Sequence, residues 1–257
     1  MKRIACVIAA VTFAASFNAY AEENHHAHSG HQVSHWGYEG EAGPEHWGEL
    51  KSDFATCRSG IRQSPVDLKK PIKAELAPLA MHYKAVPLQV SNNGHTIQVN
   101  QKGAGTLTFR GQNYQLLQFH FHTPSEHQVQ GQARAMEAHF VHKSDSGQLA
   151  VVGVMINAGK ENAALKSVWD SMPKEAKNVD VQGAMINAAD ILPADKSYEH
   201  YIGSLTTPPC SEGVRWIVLN EPIEMSQAQI DSFKSIFSHN ARPVQPMNAR
   251  FLLENSM

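Results

Sequence analysis

The stretch "QFHFHTPSEHQ", residues 118–128, places three histidines and a glutamate close together. Gln118, His120 and His122 alternate with two phenylalanines, so an extended chain would carry the polar and aromatic side chains on opposite faces. The pattern predicts a β-strand whose aromatic face packs against a core. Its other face brings two imidazoles together, and both could bind one metal ion.

The stretch "EAHFVH", which begins at Glu137, supplies a third candidate ligand because His139 shares a strand face with Glu137 and Val141. A turn near Gly131 would lay this strand antiparallel to the first. Three neutral imidazoles with one open position are typical of a catalytic zinc site, whereas structural sites are closed, usually by cysteines. The spacing also fits the H-x-H-x3-E pattern of cupin metal sites. There Glu126 would itself be a ligand, but no second cupin motif follows.

The remaining pattern is mostly short strands joined by turns. Alternating apolar runs flank Asn92-Asn93-Gly94, further pairs flank Gly111 and residues 144–147, and "GVRWIVLNEPIEM" adds a late strand. Helical periodicity is confined to "NAALKSVWDSM" and "SQAQIDSFKSIFSH", the second opened by Ser226 as an N-cap. We therefore predict a mainly β (α+β) fold. It is a single domain built on a large twisted, mostly antiparallel sheet with short surface helices.

The composition restricts the classes of partner. A chain of 257 residues with 42% hydrophobic residues can bury one substantial core. The net charge of -2 gives no basic footprint, so no nucleic-acid partner is expected.

Residues 1–21 have the pattern of a secretory signal peptide. Lys2 and Arg3 precede an apolar run, and Ala19-Tyr20-Ala21 is a small-x-small cleavage site. The run is shorter than the ~20 residues that a membrane anchor needs. No later segment has that length and character. We expect a periplasmic or secreted protein without membrane association after signal removal.

Residues 22–35 are a polar leader with five histidines, His25, His26, His28, His31 and His35. Without apolar periodicity, the segment is predicted to be a flexible, solvated tail rather than a specific metal-binding tract.

The mature chain retains two cysteines, since Cys6 leaves with the signal. Cys57 and Cys210 are an even number in an oxidising compartment, where they could be bridged or could be two free buried thiols. Their count alone leaves both possibilities open.

Several ordered motifs together resemble the α-class carbonic anhydrases, specifically the secreted bacterial type. They lie between about Trp36 and Arg250: "HWGY", "RQSPVDL", "SNNGH", "LLQFHFH", "SEH", "EAHFVH", "LAVVGV", "YIGSLTTPPCSEGVRWIVL" and "RPVQP". Chance agreement of so many ordered motifs is negligible, and the cupin interpretation is set aside. The resemblance implies a catalytic domain over residues 36–257. It also implies reversible hydration of carbon dioxide to bicarbonate and a proton by a zinc-bound hydroxide.

The resemblance also implies the site residues. The zinc (Zn2+) ligands would be His120, His122 and His139, oriented by Gln118, Glu137 and the backbone carbonyl of Asn240. Thr206 resembles a gatekeeper threonine that donates a hydrogen bond to Glu126, and Thr207 would contact bicarbonate. His95 resembles a proton shuttle, with Tyr38 and Asn93 ordering the solvent beside it. An apolar wall for carbon dioxide would comprise Val141, Val151, Leu205, Val214 and Trp216.

Three further expectations follow from the resemblance. Cys57 and Cys210 would form a disulfide, Ser64-Pro65 and Pro208-Pro209 would be cis, and the protein would be a monomer or homodimer. A binding protein with an inert zinc site would need a damaged ligand, and none is found. A metal-storage protein would depend on the leader histidines and would hold several ions per chain.

Overall fold

Strands make up most of the regular structure in the computed structural model, which describes residues 35–255. In chain order they are β1 (Asp67–Leu68), β2 (Ile72–Ala74), β3 (Ala80–Tyr83), β4 (Val86–Asn92), β5 (Ile97–Asn100), β6 (Gly105–Phe109), β7 (Gln112–His122), β8 (Gln128–Val129), β9 (Gln132–Ala133), β10 (Met136–Lys143), β11 (Leu149–Ala158), β12 (Lys177–Ile186), β13 (Tyr198–Ser204), β14 (Glu212–Met225) and β15 (Leu253–Asn255). The α-helices are α1 (Trp47–Leu50), α2 (Thr56–Ser59), α3 (Lys166–Asp170) and α4 (Gln227–Lys234). Short 3-10 helices lie at Gly40–Ala42, Ser52–Phe54, Ala163–Leu165 and Ala188–Ile191. The predicted mainly β fold with short helices is confirmed.

One sheet of 12 strands organises the chain. Its main path runs β12-β4-β5-β7-β10-β11-β14-β13-β15-β2, with β6 beside β7 and β3 beside β6. Neighbouring strands are antiparallel except for the parallel pairs β11–β14 and β15–β2. The mostly antiparallel sheet is therefore confirmed, and a second sheet of 3 strands contains β1, β8 and β9.

The predicted hairpins are formed. Strands β4 and β5 flank Asn93, whose side-chain oxygen accepts hydrogen bonds from the backbone N–H groups of His95 and Thr96, both at 3.0 Å. Between β6 and β7, Arg110 and Gly111 form a two-residue turn with φ values of 49° and 77°. Positive φ at both positions matches the twist of the flanking strands.

The turn predicted near Gly131 sets the position of the third histidine. Gln130 and Gly131 have φ values of 56° and 79° and connect β8 to β9. The chain then returns as β10, antiparallel to β7, with His139 directly opposite His120. A one-residue shift in this pairing would move His139 to the other face of the sheet.

The aromatic face of β7 lies in the main hydrophobic core. Phe119 and Phe121 are fully buried there with Phe140 of β10, and Phe121 stacks edge-on against Trp169 of α3. Each such side chain contributes roughly 1.5–3 kcal/mol by burial. Helix α4 closes this core, and Ser226 caps it by accepting a hydrogen bond from the backbone of Gln229, as predicted.

The sequence pattern does not predict some of the observed elements. Strand β12 is an edge strand with little buried surface, and the helices α1 and α2 are single turns. The peptide bonds Ser64-Pro65 and Pro208-Pro209 are cis as expected, and Thr123-Pro124 is also cis. Cys57 and Cys210 form a disulfide.

The predicted signal peptide and all of the leader before His35 lie outside the described residues. Within residues 35–255, no helix has the length and apolar character to cross a membrane.

Candidate metal centre

Three histidines converge on the face of the sheet opposite the main core. His120 and His122 lie on β7 and His139 on β10, with ligand nitrogens all within 4.8 Å of one another. His122 and His139 are each only 1% exposed. The alternation of the two strands therefore brings the three predicted ligands together.

Each imidazole has one nitrogen close to a polar neighbour, although Nε2 of His139 forms no well-aligned hydrogen bond among residues 35–255. Nδ1 of His120 lies 2.9 Å from Oε1 of Gln118, and Nδ1 of His122 lies 2.7 Å from the backbone carbonyl oxygen of Asn240. Nε2 of His139 lies 2.9 Å from Oε1 of Glu137. These contacts fix the ring orientations and leave the other nitrogen of each ring free to bind a metal.

The donor set fits a zinc ion. Nε2 of His122 is buried and has no hydrogen-bond partner among the described residues. A buried polar atom without a partner costs folding free energy, which coordination of a metal would offset. Three imidazoles and no thiolate are the donors of a catalytic zinc site with an open position.

The electrostatics keep two of the ligands neutral. Burial lowers the pKa of His120 well below its ordinary value, and repulsion from His122 and His139 lowers it further. Burial also lowers the pKa of His122. Burial would raise the pKa of Glu137, but the neighbouring His127 and His139 hold it well below its ordinary value. Glu137 is therefore an anion that can accept a hydrogen bond from His139.

Glu126 lies beside this triad. Its Oε1 accepts a hydrogen bond from the backbone N–H of Arg242 at 2.8 Å. Its Oε2 lies 3.5 Å from Nε2 of His122 and has no hydrogen-bond partner among the described residues. Thr206 is buried. Among residues 35–255, Thr206 and Glu126 form no hydrogen bond with each other.

A cavity of about 170 Å³ opens onto His120 and His122. Five further predicted site residues line it: Tyr38, Asn93, His95, Gln118 and Thr207. The structure therefore brings the expected shuttle and solvent-ordering residues to the same cavity as two of the three histidines.

His95 is held by aromatic stacking. Its ring lies 3.6 Å from the ring of Trp36 between centroids, at an interplanar angle of 8°, and 5.1 Å from the ring of His35. Burial, with a smaller contribution from His35, lowers the pKa of His95 to about 4. In this position the ring is neutral at physiological pH.

The predicted apolar wall lies together beside His139. Val141, Val151 and Trp216 are cross-strand neighbours on β10, β11 and β14. They share one hydrophobic cluster with Leu205 and Val214. The Trp216 ring is 4.8 Å from the ring of His139. This wall is the apolar side of the metal centre.

Two residues near the centre were missed in the sequence. His127 lies 2.8 Å from Oε1 of Glu137 and 2.7 Å from the hydroxyl of Tyr201, so a buried network supports Glu137. The Arg242 guanidinium donates to Gln63 and to the carbonyl oxygens of Ser64 and Cys57. His127 lies within residues 118–128, but nothing in the sequence indicates which residues it contacts.

Comparison with known proteins shows the family of the chain. A family model described as eukaryotic-type carbonic anhydrase matches residues 42–256. A carbonic anhydrase of Klebsiella pneumoniae is 47% identical over 225 residues, which cover 86% of this chain and 92% of the relative. The solved α-carbonic anhydrase of Thermovibrio ammonificans, in complex with the inhibitor sulfanilamide, has a TM-score of 0.82 at 47% identity, covering 85% of this chain and 98% of its own. A dioscorin solved with ascorbate has a TM-score of 0.81 at 32% identity, covering 86% of this chain and 98% of its own. The chain therefore belongs to the eukaryotic-type, or α-class, carbonic anhydrase family.

Proposed function

We propose that this carbonic anhydrase hydrates carbon dioxide reversibly to bicarbonate and a proton at a zinc ion held by His120, His122 and His139. The observation that carries the proposal is the convergence of three imidazoles, each with one nitrogen close to a polar neighbour and the other turned to the shared site. When bound, the zinc ion lowers the pKa of a water molecule and so supplies a hydroxide nucleophile at neutral pH.

The residues around the triad would orient the reactants. Thr206 would donate a hydrogen bond to the free Oε2 of Glu126, so the threonine oxygen could act only as an acceptor toward the nucleophile. By accepting the proton of the nucleophilic hydroxide, it would orient a lone pair of the hydroxide oxygen toward carbon dioxide. The wall beside His139 would hold the uncharged substrate by apolar contact. Thr207, which lines the cavity, would contact bicarbonate.

His95 would carry the product proton to the solvent. It lines the same cavity as His120, together with Tyr38 and Asn93, which would order the intervening water. An imidazole is suited to this role because its ordinary pKa lies near neutrality.

We further propose that the protein works in the periplasm or outside the cell. The Cys57–Cys210 disulfide supports this location, because disulfides persist in oxidising compartments. The signal-peptide pattern of residues 1–21 points the same way.

The direct test is a stopped-flow hydration assay of zinc-loaded and chelated protein, with His139→Ala as the variant. We expect this variant to lose both stoichiometric zinc and activity while its circular dichroism stays close to that of the native protein. His82→Ala, an exposed histidine on β3, is the matched control and should retain both. Stoichiometric zinc with normal turnover in His139→Ala would refute the ligand assignment.

A further inference from the structure

Three arginine side chains line one cavity that the proposed reaction does not use. The cavity has a volume of about 280 Å³, and its walls include Arg62, Arg110, Arg250, Ile202 and Phe251. None of its lining residues belongs to the cavity beside His120 and His122. It is a separate concave surface with three guanidinium groups.

Arg250 is fixed in the wall of this cavity. Its guanidinium donates to the backbone carbonyl oxygens of Met247, Ile202 and Pro246, at distances from 2.8 to 3.2 Å. It also lies over the ring of Tyr201, 5.5 Å from the centroid. Burial lowers the pKa of Arg250, and the positive charge of Arg62 lowers it further. The group is therefore preorganised, and its partners carry no compensating full charge.

Arg62 and Arg110 are exposed and unpaired. Within the described part of the chain, neither guanidinium forms an ion pair within 4.0 Å or a side-chain hydrogen bond. Arg110 occupies the tight turn between β6 and β7, so its backbone is held in place even though its side chain is free.

One carboxylate, that of Glu212, interacts electrostatically with Arg250 and accepts a hydrogen bond from the backbone of Arg62. Glu212 raises the pKa of Arg250, but its Oε1 already accepts hydrogen bonds from the backbone of Arg62 at 2.6 Å and from Gln63 at 3.0 Å. Because the lining contains three arginines and no carboxylate, the cavity keeps an excess of positive charge even with Glu212 nearby.

We propose that this cavity binds a small oxyanion, a carboxylate or a phosphate monoester, that carries an aromatic or other apolar substituent. Guanidinium groups match the geometry of such oxyanions and bind them with paired hydrogen bonds. Phe251, 70% exposed, offers its ring to the substituent beside Ile202. The volume of about 280 Å³ suits a ligand smaller than a typical drug.

The test is calorimetric titration of the zinc-loaded protein with phenyl phosphate, inorganic phosphate and benzoate. We expect phenyl phosphate to bind at one site and Arg62→Gln/Arg110→Gln to weaken it by about tenfold or more. Phe251→Ala should remove the advantage of phenyl phosphate over inorganic phosphate. Benzoate, compared with phenyl phosphate, distinguishes a carboxylate ligand from a phosphate ligand.

Two controls separate this site from general electrostatics and from attraction by positive charge without guanidinium geometry. Lys84→Gln/Lys102→Gln removes the same two positive charges from exposed positions outside the cavity and should leave the affinity nearly unchanged. Arg62→Lys/Arg110→Lys keeps the positive charge but loses the planar guanidinium groups that donate paired hydrogen bonds. This variant should bind phenyl phosphate more weakly than the native protein does. Absence of binding, equal loss in the lysine control, or unchanged binding in the arginine-to-glutamine variant would each overturn the proposal.

Discussion

Glu126 connects the histidine triad to the rest of the chain through Arg242. One carboxylate oxygen accepts from the Arg242 backbone, and the Arg242 side chain reaches the carbonyl oxygen of Cys57 at 2.9 Å. The other oxygen of Glu126 is buried and has no hydrogen-bond partner in the described structure. An unsatisfied buried oxygen is costly, so Glu126 is poised to accept one further hydrogen bond.

Replacing Thr206 with valine tests whether its hydroxyl supplies that bond. The Thr206→Val variant keeps the shape of the side chain, so zinc content should be unchanged. Hydration should be slower by roughly two orders of magnitude, as for the loss of one oriented hydrogen-bonding group. Stopped-flow turnover is the measurement, with Thr108→Val on β6 as a control. Native turnover in Thr206→Val would leave the Glu126–Thr206 contact without support.

His95 shows how local packing limits a functional group. Its stacking on Trp36 leaves the ring half-buried, and the pKa of about 4 means that a proton is poorly held in this position. A general acid or base works best with a pKa near the working pH. Protonation should therefore favour a ring position that is more hydrated than the stacked one.

His95→Ala should slow turnover in dilute buffer because proton export becomes limiting. The ratio kcat/KM should change little, since it reports the encounter with carbon dioxide and the attack, which precede proton export. Added imidazole should restore much of the lost rate. A residue needed only for packing would lower both parameters and would not respond to imidazole. A loss in both parameters without rescue by imidazole, or no slowing at all, would show that His95 does not carry protons.

At the scale of elements, the pairing of β7 with β10 was predictable. Alternation places His120 and His139 on defined faces, and the Gly131 turn reverses the chain between them. Period and turn chemistry are local properties, so one sequence is sufficient to predict them.

Long-range contacts were not predictable from local pattern. The carbonyl of Asn240 meets His122 from 118 positions away, and any residue type offers a carbonyl. Only the family resemblance indicated that contact. Likewise, Tyr201 meets His127 across 74 positions, and no residue pattern links them. Such contacts depend on the packing of loops against the sheet, which alternation does not encode.

The disulfide joins helix α2 to the loop between β13 and β14, and its removal should destabilise the protein. Cys57 and Cys210 are separated by 153 positions, a loop for which the chain-entropy model gives roughly 4–5 kcal/mol. We expect Cys57→Ser/Cys210→Ser to unfold at lower urea concentration than the oxidised protein. Oxidised and reduced native protein provide the comparison in the same assay. Two free thiols in natively exported protein, or equal unfolding midpoints, would contradict this expectation.

At the scale of the whole molecule, two glutamates lie opposite each other on neighbouring strands, close to the edge of the sheet that β2 forms. Glu199 on β13 pairs in register with Glu254 on β15. Burial, with added repulsion from Glu254, raises the pKa of Glu199 to about 7. The ordinary value for an unfolded glutamate is about 4.3. Between these values the folded protein binds more protons at Glu199 than the unfolded chain, so this contribution to stability is lost as the pH rises.

Glu199→Gln should therefore stabilise the protein relative to the native chain as the pH rises from about 4.5 to 8. Thermal unfolding midpoints at several pH values are the measurement, and the difference between variant and native protein should grow with pH. Glu175→Gln, an exposed glutamate next to the edge strand β12, is the matched control and should show no such trend. A constant difference for Glu199→Gln would show that folding does not raise the pKa of Glu199.

The parallel pairing of β2 with β15 joins residues 72–74 to residues 253–255. Contacts between segments so far apart form slowly in folding, because a long loop must close before the strands gain any pairing. Strands β7 and β10 are separated by a short connection and can pair much earlier. If the exported chain emerges with its N-terminus first, the histidine triad would assemble before residues 253–255 are available to complete the far edge of the sheet.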